Sequence, residues 1–265
     1  MGSHELKASK LAVGYDNKVI IPNLDVTIPD GKVSVIIGAN GCGKSTLLKA
    51  FCRLNRAMGG SIALDGREIA AYPAREFAQK LGLLPQSPVV PEGISVAELV
   101  SRGRFPYRQT MRGLSTEDYQ AVENAMRTMG VDKIADRNVD ELSGGQRQRV
   151  WIALALAQET DILFLDEPTT YLDIAYQIEI LELLVQLNRE KGITIVMVLH
   201  DINHAARYAD WIFAMKDGAL VAEGRPGDIL TEELIRQVYG MRCAIITDPV
   251  YGTPNIIPVG RQMAK

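Results

Sequence analysis

Hydrophobic positions along this chain follow two rhythms. At residues 24–28, LDVTI alternates apolar and polar side chains, the period of a strand with one buried face, and Pro29-Asp30-Gly31 supplies the turn that ends it. The stretches VSVII (33–37), DILFLD (161–166) and ITIVMVLH (193–200) are instead almost continuously apolar. Such runs are strands covered on both faces, as in a parallel sheet. Between the last two, IAYQIEILELLVQL (174–187) places Ile174, Ile178, Leu181 and Val185 on one helical stripe. Shorter signals fill the first half: short strands up to residue 37, a helix over 44–53, a strand and turn in SIALDGREI (61–69), a short helix in AREFAQK (74–80), and a strand in LGLLPQ (81–86) that stops at a proline.

Residues 87–113 are rich in Pro, Gly and Arg and read as loop plus one short helix. From Ser115 the texture becomes helical, opened by the capping pattern STED and continuing to about residue 158. The pattern therefore predicts an α/β core interrupted by a mostly helical insert near 87–155. The closing DPVYGTPNIIPVG (248–260) reads as a turn between two short strands, too short for a further domain.

Composition changes this picture little. The 265 residues are 47% hydrophobic and 23% charged, ordinary for a globular protein of one large or two small domains. A formal net charge of −3 disfavours a nucleic-acid binder. Cys42, Cys52 and Cys243 are odd in number and suit neither a disulfide framework nor a zinc site, so a reducing cytoplasm is the expected setting, with Cys42 as a small filler. No apolar run approaches the ~20 residues that span a bilayer, and no signal-peptide layout opens the chain. Any work at a membrane would need another chain as anchor. The initial MGSH reads as a cloning remnant and is set aside.

The chemistry begins at GANGCGKST, residues 38–46, which matches G-x-x-x-x-G-K-[ST] at Gly38, Gly43, Lys44 and Ser45. Glycines let successive amides point inward around an anion, and the helix that follows adds its positive end. Lys44 is expected to reach the outer phosphates, and the Ser45 hydroxyl to ligate Mg²⁺. The apolar strand before the loop and the helix after it are the context such a loop requires.

ILFLDEP (162–168) ends a strand in two acids. Beside a phosphate loop, Asp166 is expected to hold Mg²⁺ and Glu167 to polarise the water that attacks the γ-phosphate. His200 and Gln86 also end strands, and parallel strands deliver functional side chains at their C-terminal edge. The sequence alone gives Gln86 no more than a surface role. Tyr15, after the first strand pattern, is a candidate to stack on adenine. A second glycine pair, in LSGGQRQR (142–149), lacks a lysine. Ser143 caps the helix that follows, and the same hydroxyl, amides and helix end suit an anion.

Taken in order and spacing, GANGCGKST, Gln86, LSGGQ, ILFLDE, YLD (171–173) and His200 resemble the ATP-binding cassette ATPases over nearly the whole chain. The resemblance implies a RecA-like P-loop core with a mainly parallel sheet, an N-terminal antiparallel β subdomain and an inserted helical subdomain. It divides the chain into 5–86 with 156–228 (core), 87–155 (helical subdomain with the signature motif) and 229–265 (a C-terminal helix and short β extension). It implies ATP with Mg²⁺, held by Gly38, Asn40, Gly41, Gly43, Lys44, Ser45 and Thr46, with Gln86 sensing the metal and the attacking water and His200 contacting the γ-phosphate. It also implies two copies arranged head to tail: Ser143, Gly144, Gly145 and Gln146 of one copy close over the nucleotide of the other, with Asp173 at the seam.

One cassette without membrane spans resembles a stand-alone importer subunit on the cytoplasmic face of a bacterial inner membrane. Its implied partners are permease subunits and, indirectly, a substrate-binding protein. DEPTTYLDI, RGRFPY and the closing DPVYGTPNIIPVG resemble the ATPases of ferric-siderophore uptake, whose relatives import haem and vitamin B12. RGRFPYRQTMR (102–112), with four arginines and two aromatics, is open to three readings: a solvated loop, a docking surface for the membrane partner, or a single-strand nucleic-acid patch. A soluble cassette ATPase acting on DNA or ribosomes is the alternative of a different class, although the paired cassettes, coiled coils or basic extensions usual there are not seen.

Overall fold

The alternating N-terminal residues form two long antiparallel strands, β1 (Leu6–Tyr15) and β2 (Lys18–Ile28). The computed structural model describes residues 3–16, 18–86, 91–108, 113–170 and 172–261. The chain continues through β3 (Val33–Gly38), α1 (Lys44–Phe51), β4 (Ala57–Leu64), β5 (Arg67–Glu68), α2 (Ala74–Lys80) and β6 (Leu81–Leu84). Next come α3 (Val96–Ser101), a 3₁₀ turn at Arg102–Tyr107, α4 (Thr116–Thr128), α5 (Gly144–Ala157), β7 (Ile162–Asp166) and α6 (Ile174–Lys191). The last part holds β8 (Thr194–Val198), α7 (Ile202–Tyr208), β9 (Trp211–Lys216), β10 (Ala219–Gly224), α8 (Pro226–Ile229), α9 (Glu232–Tyr239), β11 (Met241–Thr247) and β12 (Pro254–Arg261). This is an α/β fold with a mainly parallel mixed sheet, an antiparallel N-terminal sheet and a helical subdomain. Among the described residues no helix is long and apolar enough to cross a membrane.

The chain forms two compact units, Met1–Ala71 with Val185–Lys265, and Tyr72–Leu184. In the first, β3 is the central strand. It pairs in parallel with β8 on one side and β9 on the other, and β10 adds antiparallel to β9. All six residues of β3 and all five of β8 are buried, which explains their continuous apolar composition. The antiparallel sheet runs β2-β1-β4-β5. Its inward residues, Leu6, Ala8, Leu11, Val13 and Ile21, are nearly inaccessible, and the residues between them in β1 are half-buried or exposed. A separate hairpin, β11-β12, closes the chain around a turn at 248–253 in which Asp248 Oδ1 accepts from the Val250 and Tyr251 amides.

In the second unit β6 and β7 pair in parallel, Leu84 opposite Leu165. α3, α4 and α5 pack on one another, burying Val96, Leu99, Val122, Met126, Val150 and Ile152. Each starts with a reciprocal capping box: Ser95 with Glu98, Ser115 with Asp118, Ser143 with Gln146.

Two expectations change. The α6 stripe is rotated: Ile174 is 72% exposed, and the buried face is Ile180, Leu181, Leu184, Leu187 and Asn188. The first turn of that helix carries apolar side chains on its solvent side. The arginine run is not a solvated loop throughout either. Arg104 is buried, with Nε donating to Asp118 (2.8 Å) and Nη1 to Glu159 (2.7 Å) and the Ala157 carbonyl (2.8 Å), and its guanidinium lies 3.9 Å from the Tyr107 ring centre. Phe105 is 72% exposed beside it. Gln109–Arg112 of that run and Tyr171 of the YLD triplet lie outside the described residues.

Candidate nucleotide site

In the first unit the glycine loop leaves β3 and enters α1. Its geometry explains its glycines. At Gly38 (φ 154°) a Cβ would stand 2.4 Å from the Met215 carbonyl oxygen and 2.6 Å from Cys42 Sγ, so no side chain fits. Gly43 caps α1 in a left-handed conformation (φ 107°). Lys44 is buried, and its ammonium donates to the carbonyls of Gly38 (2.8 Å) and Ala39 (3.1 Å). The cation is thus held against the start of the loop. Asn40, Gly41, Ser45 and Thr46 complete the contiguous segment; Thr46 is buried, Ser45 half-buried. Burial raises the Cys42 thiol above its ordinary value, more than Lys44 lowers it, so it is a poor nucleophile and sits as a filler.

Strand register brings a second group to the same sheet edge. Ile36 of β3 stands opposite Val198 of β8, so two residues further along each strand the backbone delivers Gly38 and His200. His200 is exposed there, immediately before Asp201, which caps α7 by accepting from the amides of Asn203 (2.8 Å) and His204 (2.9 Å). Tyr15 is 45% exposed at the end of β1.

Tyr239, at the end of α9, carries no recognisable pattern in the sequence. Its hydroxyl is buried without a hydrogen bond of good geometry. Burial pushes that phenol well above the usual tyrosine range; the nearby Gly38 N–H dipole opposes the shift, and Cys42 and Asp201 add to it.

The second unit shows the same edge logic. Leu84 and Leu165 are paired, and two residues beyond each come Gln86 and Glu167. Gln86 Nε2 donates to Glu167 Oε2 at 2.6 Å, and Thr170 Oγ1 donates to the same oxygen at 3.0 Å. Asp166, at the strand end, is 2% exposed. Glu167 sits at φ 56°, a left-handed conformation that costs a side-chain-bearing residue about 1–2 kcal/mol. The backbone twist turns the carboxylate toward its two donors. Thr170 was missed by sequence reasoning; its only signal was its place three residues after Glu167.

The signature segment begins α5. Ser143 Oγ accepts from the Gln146 amide (3.3 Å), and Gln146 Oε1 accepts from the Ser143 amide (3.2 Å). A Cβ on Gly145 would meet the Tyr176 ring carbons at 3.4 Å, so the aromatic of α6 packs against the glycine backbone. Arg149 pairs with Glu179 and lies 5.9 Å from the Tyr176 ring centre. Asp173 is exposed, and its Oδ1 accepts from the Tyr176 amide (3.1 Å) as the α6 cap.

A glycine loop gripping its own lysine, a two-acid strand end and a serine-capped Gly-Gly helix occur together on this chain, and the ABC transporter family model matches residues 21–170. The chain belongs to the ABC transporter family. Among ABC proteins it is 52% identical over 256 residues to the ferric enterobactin transport ATP-binding protein FepC of Escherichia coli (strain K12), covering 97% of this chain and 94% of FepC. Its fold matches an inward-facing ABC transporter assigned to the metal-chelate type (TM-score 0.84, 27% identity, 98% of both chains). It also matches the dimeric ABC transporter cassette MJ0796 (TM-score 0.73, 29% identity, 83% of this chain and 98% of that one).

Each unit carries oxygen donors of the hard kind magnesium prefers: the Ser45 hydroxyl in the first, and the Asp166 carboxylate and Gln86 amide oxygen in the second. With Nε2 of Gln86 committed to Glu167, Oε1 is the end left to face a cation.

Proposed function

We propose that this chain is the ATP-hydrolysing subunit of a bacterial importer for ferric siderophores. The observation that carries the reading is the Glu167 carboxylate, set in a strained backbone turn and held by Gln86 and Thr170. An acid that only capped a strand would need no such support. In this reading Lys44 and the loop amides bind the outer phosphates, and Tyr15 stacks on adenine. Ser45, Asp166 and Gln86 would hold Mg²⁺ when it is bound, and the metal would supply positive charge against the phosphates. Glu167 orients and polarises the attacking water, with Gln86 holding it in place. His200 contacts the γ-phosphate. Rate comes from positioning and electrostatics rather than from covalent chemistry.

The chain works as a head-to-tail pair, in which Ser143, Gly144, Gly145 and Gln146 of one copy close over the nucleotide of its twin. Exposure of Ile174 and Tyr176 beside Asp173 supports a partner surface there. The dimeric state of the MJ0796 cassette supports it too. The 87–155 insert docks permease subunits, placing the protein on the cytoplasmic face of the membrane, with a substrate-binding protein as indirect partner. The cargo rests on the resemblance to FepC, whose name specifies ferric enterobactin. Burial of Arg104 removes one cation from the arginine run and weakens the nucleic-acid alternative.

Isolating the permease that co-purifies with this chain, reconstituting the assembly in vesicles and measuring ATP-driven uptake of labelled iron chelates tests the reading. Transport of haem or vitamin B12 but no ferric siderophore would reject the cargo; salt-sensitive DNA or RNA binding with no permease would reject the importer.

A further inference from the structure

The C-terminal hairpin is held by an unusual set of contacts for a surface appendage. Asn203, in the first turn of α7, makes a two-point bond to the backbone of Ile256 in β12. Its Oδ1 accepts from the Ile256 amide (2.7 Å) and its Nδ2 donates to the Ile256 carbonyl (3.2 Å). A side-chain amide thus stands in for a neighbouring strand. One turn further along α7, the Arg207 guanidinium lies 3.4 Å from the ring centre of Tyr251, in the hairpin turn. That turn is itself fixed by Asp248, through the Val250 and Tyr251 amides. Ile256 is 3% exposed and Cys243, on the facing strand, 7% exposed, so the inner face of the hairpin is core.

Those contacts fall on α7, whose cap, Asp201, directly follows His200. Asp201 caps it through the amide of Asn203 itself. Between Val198, pinned in the sheet opposite Ile36, and Asn203, pinned to β12, only four residues intervene. His200 lies in the middle of that short span. A segment fixed at both ends has few conformations, whereas one fixed only by a seven-residue helix has more.

We propose that Asn203 is a positioning residue, and that the C-terminal hairpin, through Asn203 and Arg207, sets the placement of His200 for hydrolysis. The inference rests on the proposed role of His200 at the γ-phosphate. The hairpin is thereby an internal part of the ATPase machinery rather than a passive extension.

A double-mutant cycle tests it. In the full-length ATPase, Asn203→Ala should lower kcat roughly five- to tenfold with KM for ATP changed less than twofold, since sub-ångström misplacement of a reacting group is enough for such losses. In a His200→Ala background the same substitution should cost less than twofold. Tyr251→Ala, which removes the second contact from the hairpin side, should act in the same direction and serves if Asn203→Ala lowers the melting temperature. Equal losses with and without His200, or no loss from either variant, would overturn the inference. Amide hydrogen exchange separates this from failure of the functional reading: exchange over residues 199–205 should quicken in Asn203→Ala whether or not His200 takes part in hydrolysis. Unchanged exchange rejects the positioning role, while quickened exchange with a fully active His200→Ala rejects only the role given to His200.

Discussion

Replacing Glu167 by Gln is the sharpest perturbation available, because the structure fixes what the new side chain does. In the native protein Oε2 accepts from Gln86 (2.6 Å) and Thr170 (3.0 Å), and the mechanism assigns the other oxygen to the attacking water. A glutamine is isosteric. Its single carbonyl oxygen takes the place of Oε2, because only an oxygen can accept from both donors. The amide NH₂ is then forced into the position assigned to the water, where it donates and cannot take a proton. The scaffold is retained while the base becomes a donor. Loss of a general base costs about 10²–10⁴ in rate, or ~3–5 kcal/mol in barrier. The expected outcome is phosphate release slowed at least a hundredfold, with nucleotide affinity unchanged by fluorescent ATP titration and a pair that stays closed in size-exclusion chromatography with MgATP. Turnover within tenfold of the native rate would remove Glu167 from its role. Loss of ATP binding together with turnover would show that the carboxylate serves the fold or the nucleotide instead.

Other outcomes follow from the same geometry. Glu167→Gly and Glu167→Ala both delete the carboxylate, but only glycine relieves the left-handed backbone, so the glycine variant should be the more stable by about 1 kcal/mol in urea melts. Lys44→Ala should weaken ATP binding at least tenfold in a titration, with the secondary structure seen by circular dichroism unchanged, since ~1.4 kcal/mol is a modest loss for a phosphate contact. Arg104→Ala leaves the buried Asp118 without its cation and should cost about 3 kcal/mol; Arg104→Lys should recover only part, because one ammonium cannot match the fork that serves Asp118, Glu159 and Ala157. Burial alone would raise the Asp118 carboxyl, but hydrogen bonds from Arg104 and Ser115 outweigh it and hold it below 3.8. The folded state then binds fewer protons than the unfolded one. That stabilisation is present in full above about pH 4 and lost as pH falls toward the folded value, a dependence that Asp118→Asn should flatten in melts from pH 7 to pH 3.

Much of this was legible in the sequence, for local reasons. The glycine loop, the covered strands, the Ser115 cap and the closing hairpin are each written in a few adjacent residues. What escaped depends on distant partners. Arg104 looks solvent-facing in a Pro- and Gly-rich stretch, yet its anions come from positions 118 and 159. The stripe on α6 failed because both Ile174 and Ile180 fit a helical period, and only tertiary packing decides which face is covered. Gln86 could be valued only once the register of β6 and β7 was known, since that register places it on Glu167. Asn203 and Tyr239 were invisible because an asparagine in a short helix and a tyrosine near a helix end carry no pattern of their own.

The cap at Ser143 has a final implication. A hydroxyl has one hydrogen to give and two lone pairs with which to receive, and here the helix uses only its receiving side. The hydrogen can therefore be offered outward to a neighbour's anion while the α5 terminus stays sealed. In the proposed head-to-tail pair, engagement and release of the twin would then leave the helix that presents the contact unfrayed, so each cycle would begin from an undamaged surface.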